Sequence, residues 1–340
     1  MVDDSRNGRA VILFGMVILL WGVNWPVMKL GLTLLPPLHF ALARTVLGGT
    51  SLLLLLAASG RLRAPPRGDV PILLSIGILQ IALFLGLTHA ALMFVDAGRS
   101  AILAYTTPIW VVPLSALLLH ERAGWAQLLA LAFGMAGLAV LFNPLALDYD
   151  DAHALLGNGM LLAAAVAWAL AIVHVRAHRW QSTPLQLMPW QLLLGSLLLL
   201  PAALIIEADR PIHWSWELAV ILAYNGPVAS AFCYWAFVTV NRSFPASTTA
   251  LGSLGVPLVG VLASALALGE PLTAATLGGL TLIASGVVVL SLTAARREPA
   301  SFAPAVAGDS AASGPRPLSP SPLSSSGPGG TPCFRSGEQP

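Results

Sequence analysis

The sequence is poor in charge. Only 9% of its 340 residues are charged and 56% are hydrophobic, and the mean hydropathy is +0.80. A soluble chain has about 25% charged residues, because a folded surface needs polar groups to meet water. The composition therefore excludes a water-soluble enzyme and indicates that lipid is the solvent of this chain.

Further absences narrow the class of protein. The formal net charge is only +2 and no block of basic residues occurs, which argues against a nucleic-acid partner. The two cysteines, Cys233 and Cys333, lie far apart, so neither a disulfide framework nor a metal site follows from them. Paired carboxylates, HExxH, GxSxG and P-loop patterns are missing, so we expect no enzyme activity, no cofactor and no use of ATP.

Long apolar runs fill most of the chain. A bilayer core of about 30 Å requires roughly 20 apolar residues per helix. Counting such runs predicts an all-α integral membrane protein with ten transmembrane helices. Their predicted bounds are 10–31, 36–58, 70–92, 98–119, 124–143, 157–176, 184–206, 217–238, 245–268 and 273–293. The first run is too long for a signal peptide, so it is read as the first membrane helix, and residues 1–9 precede it as the N-terminal segment.

The composition changes abruptly near the C-terminus. Residues 299–340 contain nine Pro, nine Ser and six Gly, and offer almost nothing to bury. Such a segment cannot offset the entropy lost on ordering. We therefore predict that residues 294–340 are a disordered cytoplasmic tail.

The basic residues predict the orientation in the membrane. If both termini share one side, three basic residues (Lys29, Arg99 and Arg210) lie on the other. The side of the termini holds eleven: Arg6, Arg9, Arg61, Arg63, Arg67, Arg122, Arg176, Arg179, Arg242, Arg296 and Arg297. This excess predicts a multi-pass protein of the inner (plasma) membrane with both termini in the cytoplasm.

The chain contains an internal repeat. At an offset of 149, Pro108 aligns with Pro257 and Glu121 with Glu270. At an offset near 147, Trp21 aligns with Trp168. The halves, 10–143 and 157–293, then have five helices each and are joined by an external loop at 144–156. Because five is odd, the second half enters the membrane upside down, which predicts the inverted repeats of many secondary transporters.

Two short motifs and a repeated spacing have a counterpart in a known family. Residues 21–25 read WGVNW with Lys29 following, and residues 40–44 read FALAR. In each half a proline is followed 13 residues later by glutamate. The chain resembles, over residues 10–293, the EamA-type permeases of the drug/metabolite transporter superfamily. The resemblance implies a ten-helix carrier with a central cavity, in which helices 5 and 10 pack away from the path.

Aromatic and polar groups at membrane depth are the candidates for substrate binding. Trp21, Asn24 and Trp25 surround Pro26, whose missing N–H leaves a backbone carbonyl free. An aromatic cavity with a few polar groups is the usual form of a small-molecule site. We predict that seven residues face one central cavity: Trp21, Asn24, Trp25, Arg44, Tyr105, Trp168 and Tyr234.

Each candidate also has a structural interpretation. The aromatic residues could serve helix packing, and Arg44 could hydrogen-bond backbone carbonyls. Four residues, Pro26, Pro108, Ser253 and Pro257, are read as hinges that line the path or as sites of close packing. Glu121 is expected to cap the helix that follows it. His39, His89 and His174 are read as hydrogen-bonded structural histidines.

These observations predict a secondary transporter with a small-molecule substrate and a lipid bilayer as its partners. It would move small polar or amphipathic metabolites, amino-acid-like or drug-like, by alternating access, and the family resemblance favours efflux. The alternatives are an importer or multidrug carrier, or a non-transporting membrane enzyme or scaffold. A homodimer is left open.

Overall fold

A computed structural model of the chain describes residues 2–95, 100, 103–142, 151–269 and 272–296. Within these residues all regular secondary structure is helical, and no strand occurs. Residues 297–340 of the predicted tail and most of the predicted 144–156 loop lie outside the described residues, whereas residues 294–296, also predicted as tail, are helical. The helices are α1 (Val2–Gly31), α2 (Pro37–Ala58), α3 (Arg67–Ala91), α4 (Thr107–Leu118), α5 (Trp125–Phe142), α6 (Ala152–Ala177), α7 (Pro184–Ile206), α8 (Trp216–Ser243), α9 (Ala246–Leu268) and α10 (Ala274–Arg296).

Eight of these helices, all but α4 and α5, are long and apolar enough to cross a membrane, and α4 and α5 are shorter apolar helices. Two helices begin earlier than the predicted spans. Helix α1 begins at Val2, so most of the predicted N-terminal segment is helical. Helix α6 begins at Ala152 rather than 157, because the Asp151 side chain accepts a hydrogen bond from the His153 N–H and caps the helix there.

Contacts between helix ends define two faces of the bundle. At one face, which we call the N-terminal face, the α2–α3 connection meets α7, because the Trp190 indole donates to the Arg63 carbonyl at 3.1 Å. At the opposite face, the His213 N–H donates to the Leu34 carbonyl at 2.9 Å and joins the end of α1 to the start of α8. Helix α1 therefore runs from the N-terminal face to the opposite face.

Two helices contain π-helical segments, in which hydrogen bonds join residue i to i+5. They span Ile76–Leu83 in α3 and Tyr224–Phe232 in α8. A glycine in each segment lies against a glycine of another helix. A Cβ on Gly195 of α7 would lie 3.3 Å from the Gly77 carbonyl oxygen, and one on Gly48 of α2 would lie 2.9 Å from the Gly226 carbonyl oxygen.

Helix α9 is interrupted. It runs as Ala246–Gly252 and Gly255–Leu268, with a turn between the two parts. Residues 105 and 106 form a similar turn immediately before α4. In both places a proline follows within the first turn of the next helical part, where its missing N–H costs no hydrogen bond.

Helices α5 and α10 lie at one side of the bundle, as the contacts between helices show. The main neighbours are α1 with α9, α1 with α8, α4 with α6, α2 with α8, α3 with α7, α3 with α6, and α2 with α7. Helices α5 and α10 pack mainly against each other, and a Cβ on Gly137 would lie 2.6 Å from the Gly279 carbonyl oxygen. The largest buried apolar core has residues from every helix except α5 and α10.

Candidate functional site

A cavity of about 80 Å³ lies at the centre of the bundle. Its walls come from α1, α2, α3, α6, α8 and α9. Ala104 and Tyr105, just before α4, and Thr107, the first residue of α4, complete them. Helices α5, α7 and α10 contribute no lining residue. The α2 lining residue, Arg44, lies seven residues after the helix begins, roughly 10 Å along its axis from the opposite face.

The structure brings all seven residues of the predicted site together. Trp21, Asn24, Trp25, Arg44, Tyr105, Trp168 and Tyr234 all line this cavity. They come from five different places along the chain, and the α1 residues occupy one helix face through their spacing of three and four. Trp21, Trp25 and Tyr105 are partly exposed, whereas the other four are buried.

Aromatic rings close one side of the cavity. The Trp21 ring centroid lies 5.7 Å from that of Trp168, 5.4 Å from that of Tyr234 and 5.4 Å from that of Phe237. The Trp168 ring lies 4.4 Å from the ring of Phe84. Edge-to-face and tilted pairs at these distances are favourable. The cluster therefore forms a packed floor between the cavity and the ends of α6 and α8 at the N-terminal face.

The Trp21 indole is also fixed by the backbone. It donates a hydrogen bond to the Ala229 carbonyl at 2.8 Å, within the π-helical segment of α8. The Tyr224 hydroxyl donates in return to the Leu20 carbonyl at 2.8 Å. These bonds hold α1 against α8 and set the ring of Trp21 across the cavity floor.

Arg44 places a buried guanidinium in the cavity wall. Its side chain is 4% exposed, its Nε donates to the Ser230 hydroxyl at 2.9 Å, and its Nη1 lies 3.7 Å from the Met28 sulfur. Within the described residues, no carboxylate forms an ion pair with it. A buried charge without a counter-ion is costly, so the site favours an anionic group beside Arg44.

Three further polar atoms in the lining have no hydrogen-bond partner within the described part of the chain. They are Asn24 Oδ1, Thr88 Oγ1 and His89 Nε2. The other ring nitrogen of His89 pairs with the Leu85 carbonyl at 2.8 Å, as expected of a structural histidine. Sequence reasoning did not place Thr88 or His89 in the site, although both are buried in the same wall.

The predicted hinge residues divide into two groups. Ser253 lines the cavity, lies in the turn that interrupts α9, and donates to the Ala250 carbonyl at 2.6 Å. Pro26, Pro108 and Pro257 are buried but do not line the cavity. Pro108 and Pro257 lie immediately beyond the two turns, whereas Pro26 lies inside α1.

Glu121 does not cap the helix that follows it, so that expectation was wrong. Helix α5 begins only at Trp125, and the Glu121 carboxylate instead accepts from Arg176 Nε and from the Ala246 N–H, both at 3.1 Å. Arg176 Nη1 donates to the Arg242 carbonyl at 3.1 Å. These bonds, which we call the Glu121 clamp, join α4, α6, α8 and α9 at the N-terminal face.

Two other acidic residues are buried at helix ends. At the opposite face, Glu207 accepts hydrogen bonds from the Leu38 and His39 N–H groups, each at 2.9 Å, and its carboxylate caps α2. At the N-terminal face, Asp69 accepts from the Gln181 and Ser182 N–H groups at 2.9 and 2.7 Å. Each carboxylate accepts hydrogen bonds from backbone N–H groups that have no carbonyl partner within a helix. Among the described residues, no cluster of His, Cys, Asp and Glu could hold a metal ion.

Comparison with known proteins identifies the family. The model of the EamA-like transporter family matches the chain twice, at residues 8–143 and 155–292. The chain belongs to the EamA-like transporter family. It is therefore a multi-pass membrane transporter rather than an enzyme.

Several relatives carry transporter names. An uncharacterized transporter, YvbV, of Bacillus subtilis is 31% identical over 284 residues, covering 83% of this chain and 92% of the relative. A probable amino-acid metabolite efflux pump of Salmonella typhimurium is 28% identical, covering 84% and 95%. A probable terminal-alkyne amino-acid exporter of Streptantibioticus cattleyicolor is 26% identical, covering 87% and 98%.

A solved structure, titled only as the crystal structure of a protein, shares the fold of this transporter. Its TM-score is 0.67 at 23% identity, and the match covers 85% of this chain and 99% of the other.

Proposed function

We propose that this EamA-like transporter is a secondary carrier that exports small polar or amphipathic metabolites of amino-acid size across the inner membrane by alternating access. The observation that carries the proposal is the central cavity, because it gathers a buried guanidinium, unpartnered polar atoms and aromatic rings inside the bundle. Ionisable groups within a membrane bundle are costly and usually functional. The names of the amino-acid exporters among its relatives favour the same substrate class and direction.

The size of the cavity favours a small substrate over a large drug. Its volume is about 80 Å³. By the same measure one water molecule needs about 10–15 Å³, so the cavity has room for roughly six. A metabolite with about that number of non-hydrogen atoms fits with modest widening. A multidrug carrier would need a much larger rearrangement of the aromatic floor.

We assign two roles within the site. Arg44 receives the anionic group of the substrate, since it lacks an acidic partner among the described residues and already uses Nε on Ser230. Asn24 contributes an amide whose Oδ1 has no protein partner there. The apolar part of the substrate lies against the aromatic residues, namely Trp21, Trp25, Tyr105, Trp168 and Tyr234.

The architecture we propose is ten transmembrane helices in two inverted repeats, 10–143 and 157–293. The two π-helical segments support it, because they begin 148 residues apart and each has a glycine against a glycine of a neighbouring helix. The neighbouring pairs support it as well. Exchanging the halves converts the α1–α9 contact into the α6–α4 contact, and α2–α8 into α7–α3.

Alternating access would follow from rocking of the two halves about this axis. The turns before α4 and within α9 interrupt helices at corresponding places, and Pro108 and Pro257 there permit bending. Broken helices beside a central site are a common device of secondary transporters. In the state described, the aromatic floor and the Glu121 clamp both lie between the cavity and the N-terminal face.

We further propose that the N-terminal face is cytoplasmic, in keeping with the excess of basic residues there. Single cysteines at Ser215 and at Arg179 test this orientation, because both residues lie in connections between helices. In intact cells, a membrane-impermeant thiol reagent should label the cysteine at Ser215 and not the one at Arg179. The reverse pattern contradicts the orientation.

Replacing Glu121 with glutamine should favour the state that opens toward the N-terminal face. The Glu121 and Arg176 side chains are partly exposed, 20% and 37%, so the ion pair contributes no more than about 1 kcal/mol, which changes the ratio of the two states roughly fivefold. The measurement is the rate at which an impermeant thiol reagent, added from the side of the N-terminal face, labels a cysteine at Ser253. That rate should rise, by up to about fivefold.

The matched control for this prediction is Glu217→Gln, because Glu217 is an exposed acid at the start of α8 on the opposite face. It should leave the labelling rate unchanged. The parent chain with Ser253 intact measures background labelling of the two native cysteines. Equal rates in Glu121→Gln and in the control would show that the clamp does not hold this face closed.

Flux into and out of proteoliposomes tests the proposed function. Vesicles that contain the purified protein should exchange a panel of radiolabelled amino acids faster than empty vesicles, without ATP. Vesicles that contain the Asn24→Ala and Arg44→Gln double variant supply the control for leakage through folded protein. If no small metabolite moves faster with the parent protein than with this control, the proposal is wrong.

A further inference from the structure

A second and much larger cavity opens at the N-terminal face. Its volume is about 880 Å³, and it lies among α1, α7, the second half of α8 and the end of α2 with the connection that follows. Four arginines line it: Arg9, Arg61, Arg63 and Arg242. Among the described residues that line it, none is acidic. We call this cavity the basic groove. It is separate from the central cavity, with which it shares no lining residue.

Three of the four arginines lack an acidic partner within the described part of the chain, where no ion pair joins Arg9, Arg61 or Arg63 to a carboxylate. The guanidinium of Arg242 lies 4.6 Å above the ring of Trp180. Like charges gathered without counter-ions repel one another, so the groove favours an anion that several guanidinium groups can share.

The backbone holds the arginines at the rim in a fixed arrangement. The Arg61 N–H donates to the Leu56 carbonyl at 2.8 Å, and the Arg63 carbonyl accepts from the Trp190 indole. On the other side of the groove, Thr183 and Gln186 form a capping box at the start of α7. The positive end of that helix adds to the charge of the arginines.

The groove also has an apolar wall. Leu13 of α1, Leu56 of α2, Leu185 of α7 and Trp235 of α8 line it beside the arginines. A soluble anion such as free phosphate gains nothing from contact with this apolar wall. An amphiphile gains from both parts of the groove, because its charged end meets the guanidinium groups while its chains lie along the leucines. Guanidinium groups suit phosphate, since their planar fork can donate two hydrogen bonds to it.

We infer that the basic groove binds an anionic phospholipid, with the phosphate of its headgroup among Arg9, Arg61 and Arg63 and its acyl chains along α1 and α7. Basic pockets between helices at the cytoplasmic surface are suited to such headgroups. A bound lipid would bridge the start of α1 to α2, α7 and α8. It would therefore stabilise the helices that also form the cavity walls, without entering the transport path.

Thermal unfolding of the purified full chain in neutral detergent tests this inference. Added phosphatidylglycerol should raise the melting temperature, and phosphatidylcholine at the same concentration should not. The Arg61→Gln and Arg63→Gln double variant should need at least about tenfold more phosphatidylglycerol for the same rise, since two of the attracting charges are gone. Size-exclusion chromatography checks that each variant is folded.

The matched control is the Arg67→Gln and Arg179→Gln double variant. Both arginines are exposed on the same face, neither lines the groove, and the net charge changes equally. This variant should respond to phosphatidylglycerol like the parent. The inference is overturned if the two double variants respond alike, or if phosphatidylcholine acts as well as phosphatidylglycerol. It is also overturned if inorganic phosphate alone reproduces the rise, because the groove would then take a free anion.

Discussion

Replacing Arg44 with glutamine should raise the substrate concentration needed for half-maximal transport roughly ten- to hundredfold. The guanidinium lies in the wall of the central cavity, 4% exposed, and within the described residues it faces no carboxylate. A hydrogen bond to a charged partner is worth about 1.5–3 kcal/mol, and each 1.4 kcal/mol is a factor of ten in affinity. Glutamine can still reach the Ser230 hydroxyl but presents no charge to the substrate. Concentration-dependent flux into proteoliposomes measures the effect.

Two further variants separate binding from folding. Arg44→Lys keeps the charge but loses the fork of the guanidinium, so its half-saturation value should lie between those of the parent and Arg44→Gln. Arg122→Gln removes an exposed arginine outside the cavity and should transport like the parent. The variants are compared at equal amounts of protein in the vesicles, and each must be monodisperse after purification. An unchanged half-saturation value in Arg44→Gln would show that Arg44 does not meet the substrate.

The positions of the site residues in α1 could be predicted because the sequence shows two regularities, the spacing of residues along a helix and the internal repeat. Trp21 and Trp25 lie four residues apart and therefore share a helix face. The repeat then adds Trp168 from the other half, and the two rings meet at 5.7 Å. Neither step required knowledge of helix packing. The helical class followed from composition in the same way.

Thr88 and His89 could not be predicted for a physical reason. They follow the π-helical segment Ile76–Leu83 of α3, and a π-helical turn contains more residues than an α-helical turn. The segment rotates the residues beyond it relative to regular α-helical periodicity. A face assigned from 3.6-residue spacing is therefore wrong after Leu83, although it holds before Ile76. The sequence shows no proline or charge that would indicate the change.

The partners of the acidic residues at the helix ends could not be predicted from the sequence either. Glu121 precedes the helix that follows it, yet its carboxylate meets Arg176 and the start of α9, 125 residues away along the chain. Glu207 likewise caps α2, 169 residues before it. A capping signal in sequence shows that a helix end needs an acceptor. It does not show which of several nearby helix ends receives the carboxylate, because that depends on how the helices pack.

Replacing Gly48 with leucine should prevent normal packing of α2 against α8 and abolish transport. A Cβ at this position would lie 2.9 Å from the Gly226 carbonyl oxygen and 3.3 Å from the Ala231 nitrogen. Both are backbone atoms, which no change of side-chain rotamer can move aside. Overpacking of this kind costs about 1–3 kcal/mol or more. The same contact brings Arg44, one turn before Gly48, to within 2.9 Å of the Ser230 hydroxyl.

The expected result is a lower melting temperature and the loss of most flux, because the substituted side chain separates Arg44 from Ser230 as well as the two helices. Gly278→Leu is the matched control. Gly278 is an exposed helical glycine of α10 with nothing within 4 Å of its added Cβ, so leucine there meets only lipid and should leave melting and flux at parent values. Gly195→Leu, at the corresponding α7–α3 contact, should resemble Gly48→Leu, since its Cβ would lie 3.3 Å from the Gly77 carbonyl oxygen. Parent-like melting and flux in Gly48→Leu would mean that α2 and α8 do not approach so closely in the membrane.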